Sequence, residues 1–368
     1  MLPYWTTEFF HVGPFRPTRI TPGVEIVLDA VPQYFLGKPK VDTIVIKMFG
    51  DRNAIYASLL AKEVDITDQL PNEAAFELKE TWERTGDGRV YSGVGTSTGV
   101  FFQFAPEIQN EPAFFDKRVR QALAFAMDRP AWTDAVMGTK TNLLADGLLP
   151  FSHHLYSYTK DSLARYQYNP QTASRMLAEA GWVRGPDGFV TNASDGRRLK
   201  VLVWGGVDRA REPAILADMW KNVGLDPSIY LMPAALREDR EHWQSYPNLE
   251  IVPRGYGDTI LTRFECVEGT VAPTFRGSNR GHYCNAEGMD PLIELYRASL
   301  STDEQGRYIR QIAEFAAEDL PVIQTYFNPF LPAVVKNVTA LKDDFEGALE
   351  AGGRYGSYYR NAHLWDKI

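Results

Sequence analysis

The chain has 368 residues, 44% hydrophobic and 23% charged, with 47 acidic against 39 basic side chains and a net charge of −8. That length exceeds what one hydrophobic core usually serves and points to two lobes, while the ordinary composition excludes a disordered chain. The acidic balance argues against phosphate backbones, so no nucleic acid is expected as a partner, and no apolar run is long enough to span a bilayer.

The first ten residues, Met-Leu-Pro-Tyr-Trp-Thr-Thr-Glu-Phe-Phe, have neither a basic start nor an apolar stretch with a small-residue cleavage site, so they are not read as a signal peptide. Residues 23–29 and 42–48 cluster β-branched side chains between turn formers and predict strands, with a loop over 32–39. A short helix is expected over 54–61, then a polar, helix-prone stretch to Arg84 and a strand over 89–94. Gly95-Thr96-Ser97-Thr98-Gly99 reads as a turn leading to a strand over 100–104.

Residues 116–129 predict a helix capped by Asp116, with Val119, Leu123, Ala126 and Met127 on the packed face and Arg118, Arg120 and Gln121 toward water. Residues 168–182 repeat the logic. Asn169 caps, Pro170 suits the first helical position, Ala173, Leu177 and Ala180 form the buried stripe, and Gly181 ends it. Further on, a strand over 200–204 precedes Gly205-Gly206 and a helix over 213–223. Strands follow at 228–232 and 250–253, then helices over 292–300 and 303–320, the latter opened by Thr302 and Gln305 in capping-box spacing, and a last core strand over 322–327. The alternation is α/β in character.

Few residues carry chemistry on their own. Gly95-Thr96-Ser97-Thr98-Gly99 has the spacing of a hydrolase nucleophile elbow, but an elbow needs a strand before it and a helix after it, and here strands flank it on both sides. The six histidines are scattered, and the adjacent His153 and His154 are expected to point to different sides. Cys266 and Cys284 can close one disulfide, remain two thiols, or with His282 supply three metal ligands, the last being the least favoured. No phosphate-binding loop or dinucleotide fingerprint is present, and no metal or cofactor is expected. Trp204 with Gly205, at the end of a strand, offers an aromatic ring and accessible backbone amides.

Six or more short elements in order resemble the peptide/nickel-binding group of extracellular solute-binding proteins that serve ABC importers, family 5. They are Gly13-Pro14-Phe15, the run from Tyr34 to Ile44, Leu59 to Asp65 with Lys62 in place of the family's glycine, the helices 116–129 and 168–182, and Leu364-Trp365-Asp366. The resemblance covers nearly the whole chain. It implies a two-lobed, periplasmic-binding-protein-like α/β fold (type II, cluster C-like). The first lobe would be incomplete, because family members carry a long stretch with an export signal before the Gly-Pro-aromatic turn. Residues 1–99 would be what remains of lobe I, 100–327 lobe II, and 328–368 the return to lobe I.

By the same resemblance, Gly255-Tyr256-Gly257-Asp258 matches the family segment whose carboxylate meets a ligand's terminal ammonium, so Asp258 is the expected anchor with Tyr256 beside it. Gln103 and Tyr326 would lie in the two interlobe strands, where extended ligands can pair main chain to main chain. The expected function is capture of a peptide-like solute by a monomer and its delivery to ABC permease subunits, in the periplasm or outside the cell, with anchoring through upstream sequence. The rival readings are an oligosaccharide or metal chelate in the same fold, leaning on Trp204, Tyr256 and Tyr326 for a sugar, and a serine hydrolase using Ser97.

Overall fold

Alternating apolar residues punctuated by turn formers make the opening of the chain a small antiparallel meander. The computed structural model describes residues 12–67, 70–138, 143–236, 239–255, 258–270, 273–341 and 361–368. Strands β1 (Phe15–Thr21), β2 (Glu25–Ala30) and β3 (Thr43–Lys47) pair in the order β1-β2-β3. The strand β1 had no counterpart among the predicted elements. Helix α1 (Arg52–Leu60) is capped by Asp51, which accepts from the Asn53 and Ala54 amides. Then come β4 (Ile66–Thr67), α2 (Asn72–Thr85), closed by a left-handed Gly86, and β5 (Gly88–Val90).

The chain divides into two compact units, residues 1–95 with 329–368, and residues 96–328. The sequence reading places changeovers at 99/100 and 327/328, against 95/96 and 328/329 in the structure. In the first unit Leu59, Leu78, Trp82 and Ala333 form one buried cluster, and Tyr91, Phe330 and Trp365 belong to another.

The second unit is built on a five-stranded sheet. Its elements in chain order are β6 (Gly93–Phe102), α3 (Lys117–Phe125), α4 (Arg129–Met137), α5 (Tyr156–Thr159), α6 (Pro170–Glu179), the hairpin β7 (Trp182–Arg184) and β8 (Val190–Asn192), β9 (Lys200–Gly206), α7 (Arg211–Lys221), β10 (Asp226–Met232), α8 (Arg240–Gln244), β11 (Leu249–Arg254), α9 (Asp258–Leu261), α10 (Met289–Ala298), α11 (Thr302–Asp319) and β12 (Val322–Phe330). The sheet order is β10-β9-β11-β6-β12, with β10 and β11 parallel to β9 and β6 antiparallel to β11. Strand β12 closes the sheet against β6, through Phe102 N donating to Pro321 O at 3.2 Å and Thr325 Oγ1 to Thr98 O at 2.9 Å. The first unit then takes β13 (Ala333–Val335) between β4 and β5, and β14 (Val338–Thr339) pairs with β15 (Asp366–Lys367).

One core of the second unit gathers Val119 and Leu123 of α3, Leu177 of α6, Val201 and Val203 of β9 and Trp220 of α7. A second gathers Ile260 and Leu261, Ile293 of α10 and Ile309 and Ile312 of α11. Helix α6 starts and stops as its sequence dictates, Asn169 Oδ1 accepting from Thr172 N at 2.9 Å.

Several expectations are corrected. The stretch 95–99 is no turn: it continues β6, which lies between β11 and β12, and all ten residues of that strand are buried. The predicted helix 116–129 ends at Phe125, and a new helix starts at Arg129 under an Asp128 cap. Arg120 does not face water. It is 2% exposed, and its guanidinium donates to the carbonyls of Phe114, Phe115 and Asp319 and to the Asp319 carboxylate. Helix α11 is capped one residue earlier than predicted, by Ser301, whose hydroxyl accepts from Glu304 N at 3.2 Å. The rings of His153 and His154 stack at 4.6 Å instead of diverging.

Cys266 and Cys284 form a disulfide, 2.08 Å between sulfurs. His282 bonds Gln103 and Thr270 and is not one of a metal-ligand set with the cysteines. Among the described residues no cluster of potential metal ligands occurs, and no helix is long and apolar enough to cross a membrane.

Candidate functional site

A polar cluster gathers where β9 ends and α7 begins, a position at which open α/β sheets commonly present ligand-binding groups. Gly205 and Gly206 belong to β9 itself, and the absence of a side chain at Gly205 matters: a Cβ there would sit 3.1 Å from Pro213 Cγ, so the glycine lets the first turn of α7 close onto the strand. That turn carries Glu212, 4% exposed. Glu212 Oε1 accepts from Tyr326 Oη at 2.6 Å and from Arg209 Nη1 at 3.0 Å.

Tyr326 comes from β12, is fully buried, and lies edge-on to Trp132 at 6.2 Å between centroids. Burial and, after it, the Glu212 charge push its phenol well above the usual tyrosine range, so it is a fixed donor and not a titrating group. Arg209 also lies 3.5 Å from Thr98 Oγ1 and from Tyr326 Oη, and 3.4 Å from Asn328 Oδ1. Asn328 Nδ2 in turn donates to Thr98 Oγ1 at 2.9 Å. Arg209 keeps 26% of its side chain exposed while Glu212 keeps 5%, so Arg209 is the partly exposed member of a buried network. Its contacts to neutral oxygens are long, and an incoming carboxylate offers the fork a stronger, charge-assisted partner.

The other residues singled out from the sequence are dispersed. Trp204, also on β9, turns to the other face of the sheet and packs in an aromatic group, 4.5 Å from the Tyr230 ring and 5.0 Å from His242, with Tyr230 Oη 3.0 Å from His242 Nε2. Gln103 follows β6 and is fully buried. Its Nε2 donates to the carbonyls of Gln244, Tyr246 and Arg280, and its Oε1 accepts from the amides of Phe104 and Ala105, so its amide ties three segments together. Asp258 opens the short helix α9 after β11, with its side chain outside the described residues, as are Tyr256 and Gly257 altogether.

The main-chain pairing expected at Gln103 and Tyr326 is already made within the protein. Strand β6 lies between β11 and β12, and β12 is bridged on its other side, with Ala145 N donating to Thr325 O at 3.1 Å and Phe327 N to Leu143 O at 2.7 Å. Ser97 is 2% exposed, inside β6 and opposite Arg254 of β11, so the strand, turn and helix of a nucleophile elbow are absent around it. Arg209, Glu212 and Asn328 escaped the sequence reading. The signal for two of them was present, an Arg and a Glu three residues apart at a helix start directly after a strand ending in two glycines.

The fold is that of two-lobed periplasmic binding proteins. A solved structure of NikZ from Campylobacter jejuni with Ni(L-His) superposes with a TM-score of 0.74 at 18% identity, covering 100% of this chain and 73% of that one. The oligopeptide-binding protein AppA of Bacillus subtilis with a nonapeptide gives 0.70 at 22%, covering 97% and 66%.

The family follows from sequence. The model of the bacterial extracellular solute-binding proteins, family 5 Middle, matches residues 4–252, and the chain belongs to that family. Among curated relatives, the Bacillus subtilis oligopeptide-binding protein AppA is 25% identical over 338 residues, 90% of this chain and 59% of its own length. The di/tripeptide-binding protein 2 of Pseudomonas aeruginosa is 28% identical over 338 residues, 90% of this chain and 58% of its own length. The chain thus spans about three-fifths of these two relatives. Both are named as binding proteins and neither as an enzyme.

Proposed function

We propose that the whole protein captures a peptide-like solute in the periplasm or outside the cell and delivers it to the permease subunits of an ABC importer, working as a monomer by binding and without catalysis. Family membership over residues 4–252 carries this reading. The names of the two relatives matched over 90% of the chain favour peptides as the solute class. Tyr326, fully buried and committed to Glu212, has no free face for sugar stacking, which weighs against an oligosaccharide.

Asp258, just after β11, is the anchor for the ligand's ammonium, with Tyr256 beside it. Gly205 contributes from β9 by letting α7 close behind Arg209, while Trp204 stays packed on the other face of the sheet. Arg209 meets the ligand's carboxylate, held in position from below by Glu212 and Tyr326. Gln103 acts through the loops it fastens.

Calorimetric titration with short peptides, as free acids and as C-terminal amides, tests the assignment. Asp258→Ala is expected to weaken peptide binding more than tenfold, about 1.4 kcal/mol, and Arg209→Met to erase the preference for the free acid. A loss smaller than tenfold at Asp258 refutes the anchor. Failure of every peptide, with binding of a nickel chelate or a sugar instead, overturns the solute class.

A further inference from the structure

Away from the Arg209 cluster, the second unit gathers two buried arginines, Arg254 and Arg280, and a half-buried one, Arg263, around one carboxylate. Glu250 and Arg254 are both on β11, Arg263 follows α9, and Arg280 lies in the loop before Cys284. Glu250 Oε1 accepts from Arg254 Nη2 at 2.5 Å and lies 3.3 Å from Arg280 Nη2, so two guanidiniums share one oxygen. Arg254 and Arg280 keep 7% and 8% of their side chains exposed, and Glu250 keeps 12%. Arg263 donates to Ser278 O, while Arg263 Nε and Arg280 Nη1 are buried and find no partner among the described atoms.

The charges do not balance. Glu268 acts on Arg263 as a second carboxylate and is itself hydrogen-bonded by Ser278 N at 3.2 Å. Among the described side chains, with both carboxylates ionised, three guanidiniums still leave one positive charge over. Burial pushes the Glu250 carboxyl up against the pull of its arginines, and pushes the Arg263 guanidinium down to about 10 with help from the Arg254 charge. The aromatic faces soften the excess without cancelling it, Trp243 lying 4.3 Å from Arg280 Cζ and Phe101 5.6 Å from Arg254 Cζ. An unneutralised buried charge costs several kcal/mol by order of magnitude, and arginine does not escape by losing its proton.

All four side chains, with Tyr246, Asn279 and Gly281, line one cavity whose accessible volume is about 10 Å³. That is room for about one small particle. Gly281 helps keep it this small, since a Cβ there would lie 2.5 Å from Phe102 O and 2.8 Å from Tyr246 Oη. We infer that this cavity is a structural site for one monatomic monovalent anion, chloride in practice, which takes up the free N–H groups of Arg263 and Arg280 and brings the cluster to neutrality. The site is independent of the solute reading above, because it is closed to anything of peptide size.

The test compares the full chain in sodium chloride and in sodium gluconate at equal ionic strength, alongside Arg280→Met, which removes the excess charge and leaves the Arg254–Glu250 pair. Chloride is expected to raise Tm of the wild type by at least 2–4 °C over gluconate, a shift of about that size per kcal/mol, and to leave Arg280→Met unchanged. A bromide derivative of crystals is expected to give an anomalous peak between Arg263 and Arg280. Should Arg280→Met not fold, the wild-type chloride shift and the bromide peak decide together. Equal melting in the two salts, the same chloride shift in Arg280→Met, or no bromide in the cavity overturns the assignment.

Discussion

Replacing Arg120 by Met should cost the second unit about 3 kcal/mol. The guanidinium is 2% exposed and reaches Asp319 O at 2.9 Å from Nε, Phe114 O and Phe115 O at 2.8 and 3.0 Å from Nη1, and Asp319 Oδ1 at 2.8 Å from Nη2. It therefore joins the segment before α3 to the end of α11. Breaking a buried pair of this kind costs about 3–5 kcal/mol, chiefly because the abandoned partners stay desolvated. Asp319 keeps 27% of its side chain exposed and is still held by Tyr283 Oη at 2.6 Å, so it can turn partly to water, which favours the low end. Urea unfolding followed by tryptophan fluorescence should show a lower midpoint with an unchanged slope, and Tm should fall by about 6–12 °C. Arg120→Lys should recover less than half, since an ammonium cannot span three carbonyls in one plane. A loss under 1 kcal/mol in Arg120→Met, or full recovery with lysine, refutes this account of the arginine.

Reducing the Cys266–Cys284 bond, or replacing both residues by Ser, reopens a loop with a sequence separation of 18 and should cost about 3 kcal/mol on the chain-entropy estimate, read as a lower Tm in dithiothreitol. An identical Tm with and without reductant counts against it. On acidification, Asp116 should hold its charge longer than an ordinary carboxylate: the Arg118 side chain holds its carboxyl below the usual 3.8, and the carboxylate also caps α3. Because its folded pKa is depressed, its contribution is whole above 3.8 and fades as pH falls through the lower folded value. Asp116→Asn should therefore narrow its gap to the wild type as the pH drops through that window, and a constant gap would show that the charge is irrelevant.

Local chemistry was enough to read α6, whose cap, first-turn proline and closing glycine all agree, and to place the run of strands and helices from 200 onward. What escaped was set by distant partners. The five residues from Gly95 to Gly99 carry turn composition, yet β11 and β12 on either side make them the middle of a sheet. Arg120 looks like a solvent-facing position by periodicity, and only the end of α11, 199 residues away, makes it a buried tie. The candidate site divides in the same way: Tyr326 was singled out from the sequence, but Glu212 and Arg209, which give its hydroxyl a purpose, meet it across 114 and 117 residues.

The seam between β6 and β12 joins residues far apart along the chain, Thr98 and Thr325 being separated by 227 positions. A ribosome adding about 5–20 residues per second therefore needs roughly 10–45 s to deliver the second side of that seam after the first has emerged. During this interval the nascent β6, rich in Gly, Ser and Thr and free of charge, displays an unpaired edge on which neighbouring chains can template. Until β12 is present to cover it, that edge is a place where one chain can pair with another.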